Sequence, residues 1–577
     1  MRHCKSPSVF PLFGPLLLVC TLILSYLSCV RGGECRGSEG CPQDTLCRGG
    51  FCLAPEALRK SGEICQVGLQ CLSHMCISGT CQPRQEPFEA PSYPEGGTDG
   101  QETNETPSQE ARVEGGVPKC ADFLCPVWLK SAGGFSDDTS QALHWAGKAQ
   151  VLLLADFQGT AKFGEATFTA PKQDHLLIRL SENGTWAQFA HFHGAWTSTR
   201  VDGQVFTRGV VTNSKEAPMI FGFFSGSFQL SNFSKTASGK KQDKADGFLT
   251  KLQPHPQSSS GYIVDKWFQL KGLGQQFIQD VVFAQEGSLY GIGHYRGATS
   301  LEEKVVKPTN SSGHSHLLFF KIASNDTLVS THSYGQGGDV YASRIVVDDQ
   351  GAVYIAGTYQ GAPTLGQHKL PDTKDKKAFL LKLEKEKIIW VKTFAGDYQL
   401  GHLSRLLVEE GRLYFALAFS GYVQYETKGN LRSTSEQKMG ILLSLETKQP
   451  KVLWAQKIPM RDGFSMLFHG KLLWLAGGAT QAFRLGSFSL QPKHEGKSFG
   501  YVASLNTEGV WQKVKPLYSQ GELVVSGLSS DQSKHLYLSG HFTQQIYWPH
   551  RENGSDFRNL KSKGGKDIFI MKVVIHP

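Results

Sequence analysis

The sequence predicts an all-β protein, a seven-bladed β-propeller closed by an N-terminal strand and preceded by a small disulfide-rich module. Three observations predict it. A unit of short β-rich runs recurs at a spacing near 60 residues from Trp128 to the C-terminus, close to the period of propeller blades. A tryptophan marks the same run in all but one unit. The thirteen cysteines all lie within the first 125 residues, so the repeats carry none.

The clearest unit begins at Asp339. Val340–Asp348 reads as a strand, Asp349-Gln-Gly351 turns the chain, and Ala352–Tyr359 returns it. Lys377–Leu383 and Ile388–Phe394 supply a third and a fourth strand. β-branched and aromatic runs broken by Asp, Gly and Asn are the signature of an antiparallel meander. The second strand recurs from Leu152, Ile220, Leu289, Leu413, Leu472 and Leu536. The third recurs at His175–Leu180, Gly247–Leu252, His316–Ile322, Gly440–Leu445, Gly500–Leu505 and Asp567–Val573. With the clear copy, each series has seven members.

The fourth strand carries Trp128, Trp186, Trp267, Trp390, Trp454 and Trp511. The missing member falls near Ser330, in a run without the ring. Trp128 precedes the first unit, while nothing follows the seventh third-strand to serve as its fourth. The simplest closed ring therefore lends the strand around Trp128 to the last blade, which removes the open seam.

Upstream, Arg2, His3 and Lys5 precede an apolar run from Leu16 to Leu27. That run is short for a membrane span and reads as an export signal over residues 1–29. Leu27-Ser28-Cys29 is similar to a bacterial lipobox, making Cys29 a candidate lipidation site, although Tyr26 stands where the motif wants an aliphatic residue. Ordinary cleavage near Gly32 is the alternative. Both routes leave ten cysteines: Cys35, Cys41, Cys47, Cys52, Cys65, Cys71, Cys76, Cys81, Cys120 and Cys125. An even set in an exported chain implies disulfides. Residues 32–82 form two similar halves, ending in Cys47–Cys52 and Cys76–Cys81. They hold too few aliphatics for a core, so crosslinks must hold them. Residues 83–119 carry eight acidic residues against three basic ones, a net −5, with almost nothing apolar. They read as a disordered acidic linker, and residues 120–577 as the propeller.

The spacing and glycines of residues 32–82 resemble the cysteine-rich modules related to the Dickkopf N-terminal region. Gly337-Gly-Asp-Val-Tyr-Ala-Ser343 with Asp348–Gly357 resembles the bacterial seven-bladed propeller repeat labelled SBBP. That resemblance implies an extracytoplasmic propeller with a binding role and supplies no catalytic residues.

The sequence carries few motifs of chemistry. Asp348-Asp-Gln-Gly lacks the rest of a calcium loop and reads as a hairpin turn. His191-Phe-His193 and His314-Ser-His316 place two imidazoles on one strand face, a half-site for metal, but neither has an H-E-x-x-H partner or a nearby carboxylate cluster. Gly291–Gly297 lies in a strand rather than before a helix, which argues against a phosphate cradle, and Gly222-Phe-Phe-Ser-Gly226 lacks the spacing of a nucleophile elbow. No catalytic or metal-binding set and no cofactor is expected. The net charge of +9 is spread along the chain, so nucleic acid is not an expected partner. The expected function is binding of a protein or polysaccharide at the cell envelope or outside it, with membrane attachment if Cys29 is lipidated. The alternative is a hydrolase or lyase acting on polysaccharide from the channel mouth. The long loops of the second unit, Ser231–Asp246 and Gln253–Asp265, nominate Lys235, Lys240, Lys241 and Lys244 as partner-binding residues.

Overall fold

The computed structural model describes residues 46–48, 51–53, 76–77 and 80–81, and residues 123–576 apart from 196–203, 214, 239–243, 256–260, 307–312, 428, 434–438, 462, 495 and 548–559. The chain divides into two compact units, Met1–Glu105 and Thr106–Pro577. In the first, two short hairpins are described, pairing Leu46–Arg48 with Phe51–Leu53 and Cys76–Ile77 with Thr80–Cys81. Cys47 faces Cys52 and Cys76 faces Cys81 across them, at the two places where the duplicated halves tighten. The export signal, the acidic linker and the rest of the cysteine pattern lie outside the described residues.

The second unit is all β, a propeller-like arrangement of antiparallel blades. Five blades stand as separate sheets. Their four meander strands are Gln204–Thr212, Pro218–Ser225, Asp246–Pro254 and Tyr262–Gly272 in the first of them, then Gln276–Phe283, Leu289–Tyr295, His316–Ile322 and Leu328–Tyr334. Gln336–Val347, Val353–Leu365, Lys377–Glu384 and Lys387–Thr393 follow. Next come Tyr398–Glu409, Arg412–Gln424, Met439–Glu446 and Val452–Pro459, and then Phe464–His469, Leu472–Ala479, Phe499–Leu505 and Trp511–Ser519.

A ten-stranded sheet contains two further meanders. One is Thr139–Gly147, Gln150–Phe163, Ala166–Ser181 and Trp186–Ala195. The other takes Leu523–Ser530, His535–Phe542 and Asp567–Ile575 from the C-terminus, and Leu124–Gly134 as its fourth strand. Trp128 pairs with Lys572 there. Cys125, at the head of that strand, is buried and disulfide-bonded.

The hydrophobic core is a series of clusters, each sandwiched between neighbouring units. Tyr354, Leu380 and Trp390 pack with Phe415 and Leu443 of the following unit. The cluster holding Trp128, Tyr537 and Ile570 also takes in Val151, Leu153 and Ile178 of the meander that begins at Thr139. Burying apolar area between blades is what joins them, at roughly 25 cal/mol per Å².

Three of the tryptophans clasp neighbouring units together. The indole N–H of Trp128 donates to the Glu182 carbonyl at 2.8 Å, that of Trp390 to Thr447 at 3.2 Å, and that of Trp454 to Thr507 at 2.8 Å. Each acceptor lies in the turn between the third and fourth strands of the next unit. Gly184 and Gly509, at φ near +80°, let two of those turns lie against the indole, since a Cβ would meet Trp128 at 2.9 Å or Trp454 at 2.8 Å. Where Ser330 replaces the ring, Glu386 of the next turn substitutes. Its carboxylate accepts from Ser330 Oγ at 2.9 Å and lies 2.6 Å from His332 Nε2, while its carbonyl accepts from the Tyr334 hydroxyl at 3.2 Å.

Backbone bonds and straps repeat the joining. The amides of Asp138, Gln276 and Val340, at or near the heads of first strands, donate to the carbonyls of Lys566, Ala245 and Ser315 in the unit before, at 2.7–2.8 Å. The hairpin Ser227–Leu230 with Phe233–Thr236 leaves the blade that begins at Gln204 and pairs with the outer strand Trp186–Ala195. Thus part of the long Ser231–Asp246 loop is a β strap. Asp348 caps its hairpin as expected, accepting from the amides of Gln350 and Ala352 at 3.1 and 2.8 Å. Among the described residues, no helix is long and apolar enough to cross a membrane.

Candidate binding face

The first strands of the units pack side by side, and equivalent positions on them meet. Gly209 pairs with Phe221, Asp280 with Ile292, Arg344 with Ala356 and Arg405 with Ala416, all at the centre of their blades. Asp280 Oδ2 accepts from the Ile345 amide of the next unit at 3.1 Å. Asp280, Arg344 and Arg405 thus gather where three first strands converge, and Arg208 joins them in the field of Arg344.

Asp280, Arg344 and Arg405 are half-buried and Arg208 is exposed, so water reaches this cluster. Burial pushes the Asp280 carboxyl up against the pull of Arg344. Burial, then Arg344, brings Arg405 down to about 9 and lowers Arg208. Three guanidinium groups against one carboxylate leave an excess of positive charge there, and a low-dielectric wall strengthens its field.

Three residues before that level, three successive first strands carry aromatics: Phe206, Phe277 and Tyr341. Phe206 faces Phe223 and Phe277 faces His294 on the second strands. The rings form one continuous arc. Centroid separations are 4.8 Å for Phe206–Phe223, 4.5 Å for Phe223–Phe277, 4.8 Å for Phe277–His294 and 5.2 Å for His294–Tyr341. Cations flank it. Arg208 lies 5.2 Å over Phe223, and Lys376 lies 4.4 Å over Tyr341. Arg296 donates to the Tyr341 hydroxyl and to Asp339 Oδ1, both at 3.2 Å. Phe206, Arg208, Arg296 and Lys376 are exposed.

His294 sits at the middle of this field. Burial first, then Arg208, Lys376 and Arg296, holds its imidazole down to about 3, so it is neutral near pH 7. Its buried Nδ1 has no hydrogen-bond partner among the described residues. The face can therefore stack flat rings, attract anions and exchange hydrogen bonds with a neutral imidazole.

The arc is not legible in the sequence, because only the clearest unit shows its first strand there. The available signal was an aromatic flanked by residues that face the core: Val205-Phe206-Thr207, Gln276-Phe277-Ile278 and Val340-Tyr341-Ala342. Of the lysines nominated instead, Lys235 is exposed on the outer strap, its Nζ 5.7 Å from the Phe233 centroid. Lys244 is half-buried just before the third strand. Lys240 and Lys241 lie outside the described residues.

The histidine pairs need correcting too. Folding brings a carboxylate to each: Asp174 Oδ2 lies 2.9 Å from His191 Nε2, and Asp339 Oδ2 lies 3.7 Å from His314 Nδ1. Sequence adjacency hid both, because Asp174 reaches His191 across a strand pair. Two groups have metal-ligand proximity among the described residues, Asp174 with His191 and His193, and Glu182 with Asp531 and His535. The second is already internally bonded, with His535 Nδ1 against Asp531 at 2.5 Å and Lys572 Nζ against Glu182 at 2.7 Å.

No protein-family model matches the chain, and no curated protein matches it. Among solved structures, a protein of unknown function from Dyadobacter fermentans is similar at 9% identity and a TM-score of 0.36, covering 80% of this chain and 100% of that one. The polysaccharide lyase Uly1 is similar at 8% identity and a TM-score of 0.38, covering 75% and 89%. The Dos1 propeller is similar at 7% identity and a TM-score of 0.35, covering 78% and 95%.

Proposed function

We propose that the chain is an exported binding protein whose propeller captures an anionic polysaccharide on the aromatic arc and its cations. The observation that carries this is the unbroken series Phe206, Phe223, Phe277, His294 and Tyr341 with Arg208, Arg296 and Lys376 around it. Sugar rings stack on aromatic faces, and carboxylate or sulfate groups pair with guanidinium and ammonium.

A second reading is a lyase at the same mouth, because a histidine, a tyrosine and arginines converge there. Proton abstraction beside a uronate carboxylate would need a base, and an imidazole held down to about 3 is a weak one at neutral pH. The same value favours His294 as a neutral hydrogen-bonding group, and hence the binding reading.

The finer architecture belongs to this proposal. The ring has seven blades of the SBBP kind, and the strand at Trp128 closes it. A duplicated, Dickkopf-like disulfide module precedes it on an acidic tether, with Cys120 bridged to Cys125. Support comes from the succession of four-stranded meanders and from the N-terminal strand that completes the last of them. Cys29 remains the proposed lipid attachment point, and intact mass of the mature N-terminus, with or without a diacylglycerol, decides it.

The test is a matched panel of dextran, dextran sulfate and polygalacturonate titrated into the full mature chain. The two anionic polymers should bind with an affinity that falls as salt rises, and dextran should not. Equal binding to all three would remove the proposal, and release of unsaturated, ultraviolet-absorbing sugars from polygalacturonate would move it to the lyase reading.

A further inference from the structure

We propose that Asp174, His191 and His193 form a site for a divalent transition-metal ion of the zinc type. They line a cleft of about 270 Å³ together with Phe206 of the aromatic arc. One Asp174 oxygen and one nitrogen from each imidazole lie within 4.8 Å of one another. Zinc takes nitrogen and oxygen ligands at about 2.0–2.2 Å, which sets tetrahedral ligand atoms roughly 3.3 Å apart. Asp174 and His191 are already at 2.9 Å, and the His193 ring lies 5.3 Å from that of His191, centroid to centroid.

The surroundings fix which atoms are available. His193 Nε2 faces Gln229 Oε1 at 3.0 Å, and an amide oxygen only accepts. The proton therefore sits on Nε2, and the lone pair on Nδ1. That Nδ1 is buried with no hydrogen-bond partner among the described residues, a costly state for an acceptor that a bound cation relieves. Gln229 belongs to the strap that pairs with the histidine strand, Gln229 opposite His193. It plays the orienting part that outer-shell acceptors play around metal-bound imidazoles. His191 is wedged between Phe157 and Phe168, with centroids at 5.4 and 5.6 Å, which restrains its ring.

Donor chemistry selects the ion. Calcium and magnesium want oxygen ligands, whereas two imidazoles and a carboxylate suit zinc and its neighbours. Three protein ligands leave a fourth position facing the cleft, the arrangement of an exchangeable site rather than a sealed one.

The test strips the full mature chain with a chelator, then titrates it with Zn²⁺ alone and, separately, with Co²⁺ alone. One ion per chain should bind, and Co²⁺ should give visible d–d bands without a sulfur-to-metal charge-transfer band, which excludes the cysteine module as the ligand. His193→Ala and Asp174→Asn should each weaken Zn²⁺ by at least about tenfold, and Gln229→Leu by about 10–100-fold, while His314→Ala should not. Thermal midpoints of the metal-free variants confirm folding, and Asp174→Asn decides if His193→Ala does not fold. No Zn²⁺ uptake by the folded wild-type chain, uptake unchanged in both ligand variants, or a sulfur charge-transfer band would each overturn the site.

Discussion

The outer and inner strands of the same blades obey different rules. On the outer strands one device recurs: an indole donates to the turn of the next unit, at Trp128, Trp390 and Trp454 alike. On the inner strands equivalent positions diverge. The level that holds Asp280, Arg344 and Arg405 holds Ala142, Gly209, Ser465 and Gly527 elsewhere. At Gly527 an added Cβ would lie 2.3 Å from Ser539 Oγ and 2.8 Å from Leu143 Cβ, so close strand packing there excludes a larger residue. A residue repeated from unit to unit marks a shared packing device. A residue that departs from the repeat and carries charge or an exposed ring marks what one sector does.

The largest effect expected from this contrast is on stability. Trp390→Ala removes a buried ring and its bond to Thr447, and should cost about 3–5 kcal/mol. Denaturant unfolding checks it, and ligand affinity of the folded fraction should not change. The substitute clasp should be weaker. Glu386→Ala leaves Ser330 and His332 without their carboxylate partner and should cost about 1–3 kcal/mol in the same assay. An equal loss at both sites would remove the distinction between a ring clasp and a polar one.

A smaller effect is pH-dependent and sits at the joint between the first and last meanders. Asp138 and Asp567 crowd Gly133, where a Cβ would lie 2.7 Å from one carboxylate and 2.6 Å from the other. Burial, aided by neighbouring acids, pushes Asp138 up to about 6 and Asp567 up to about 7. Both folded-state values exceed the unfolded value of 3.8, so the folded state holds these protons more tightly. Their contribution is complete below about pH 4 and is lost as pH rises through 6 and 7. The thermal midpoint should therefore fall between pH 5 and pH 8, and Asp567→Asn should flatten that fall. An unchanged slope would show that the pair does not control closure.

Much of the fold was legible because its signals are periodic. The second and third strands repeat as apolar runs, the tryptophan fixes their phase, and the surplus strand at Trp128 lands opposite Lys572. The candidate site was not legible, because it depends on register between strands far apart in sequence. Phe277 and His294 are 17 residues apart in the chain yet face each other across one strand pair. Asp174 and His191 are likewise 17 apart, and only the pairing of their strands brings carboxylate to imidazole. The lysines of the second unit were conspicuous as charge in a long loop, but part of that loop folds as a strap on the outer strand Trp186–Ala195.

The most direct test of the binding face is one paired measurement on Arg208→Ala/Tyr341→Ala in the full mature chain, affinity for polygalacturonate together with the thermal midpoint. The account predicts that affinity falls by about tenfold or more, the loss of roughly 1.4 kcal/mol or more of binding free energy, while the midpoint stays near that of the wild type. Wild-type affinity in the folded double variant would contradict it.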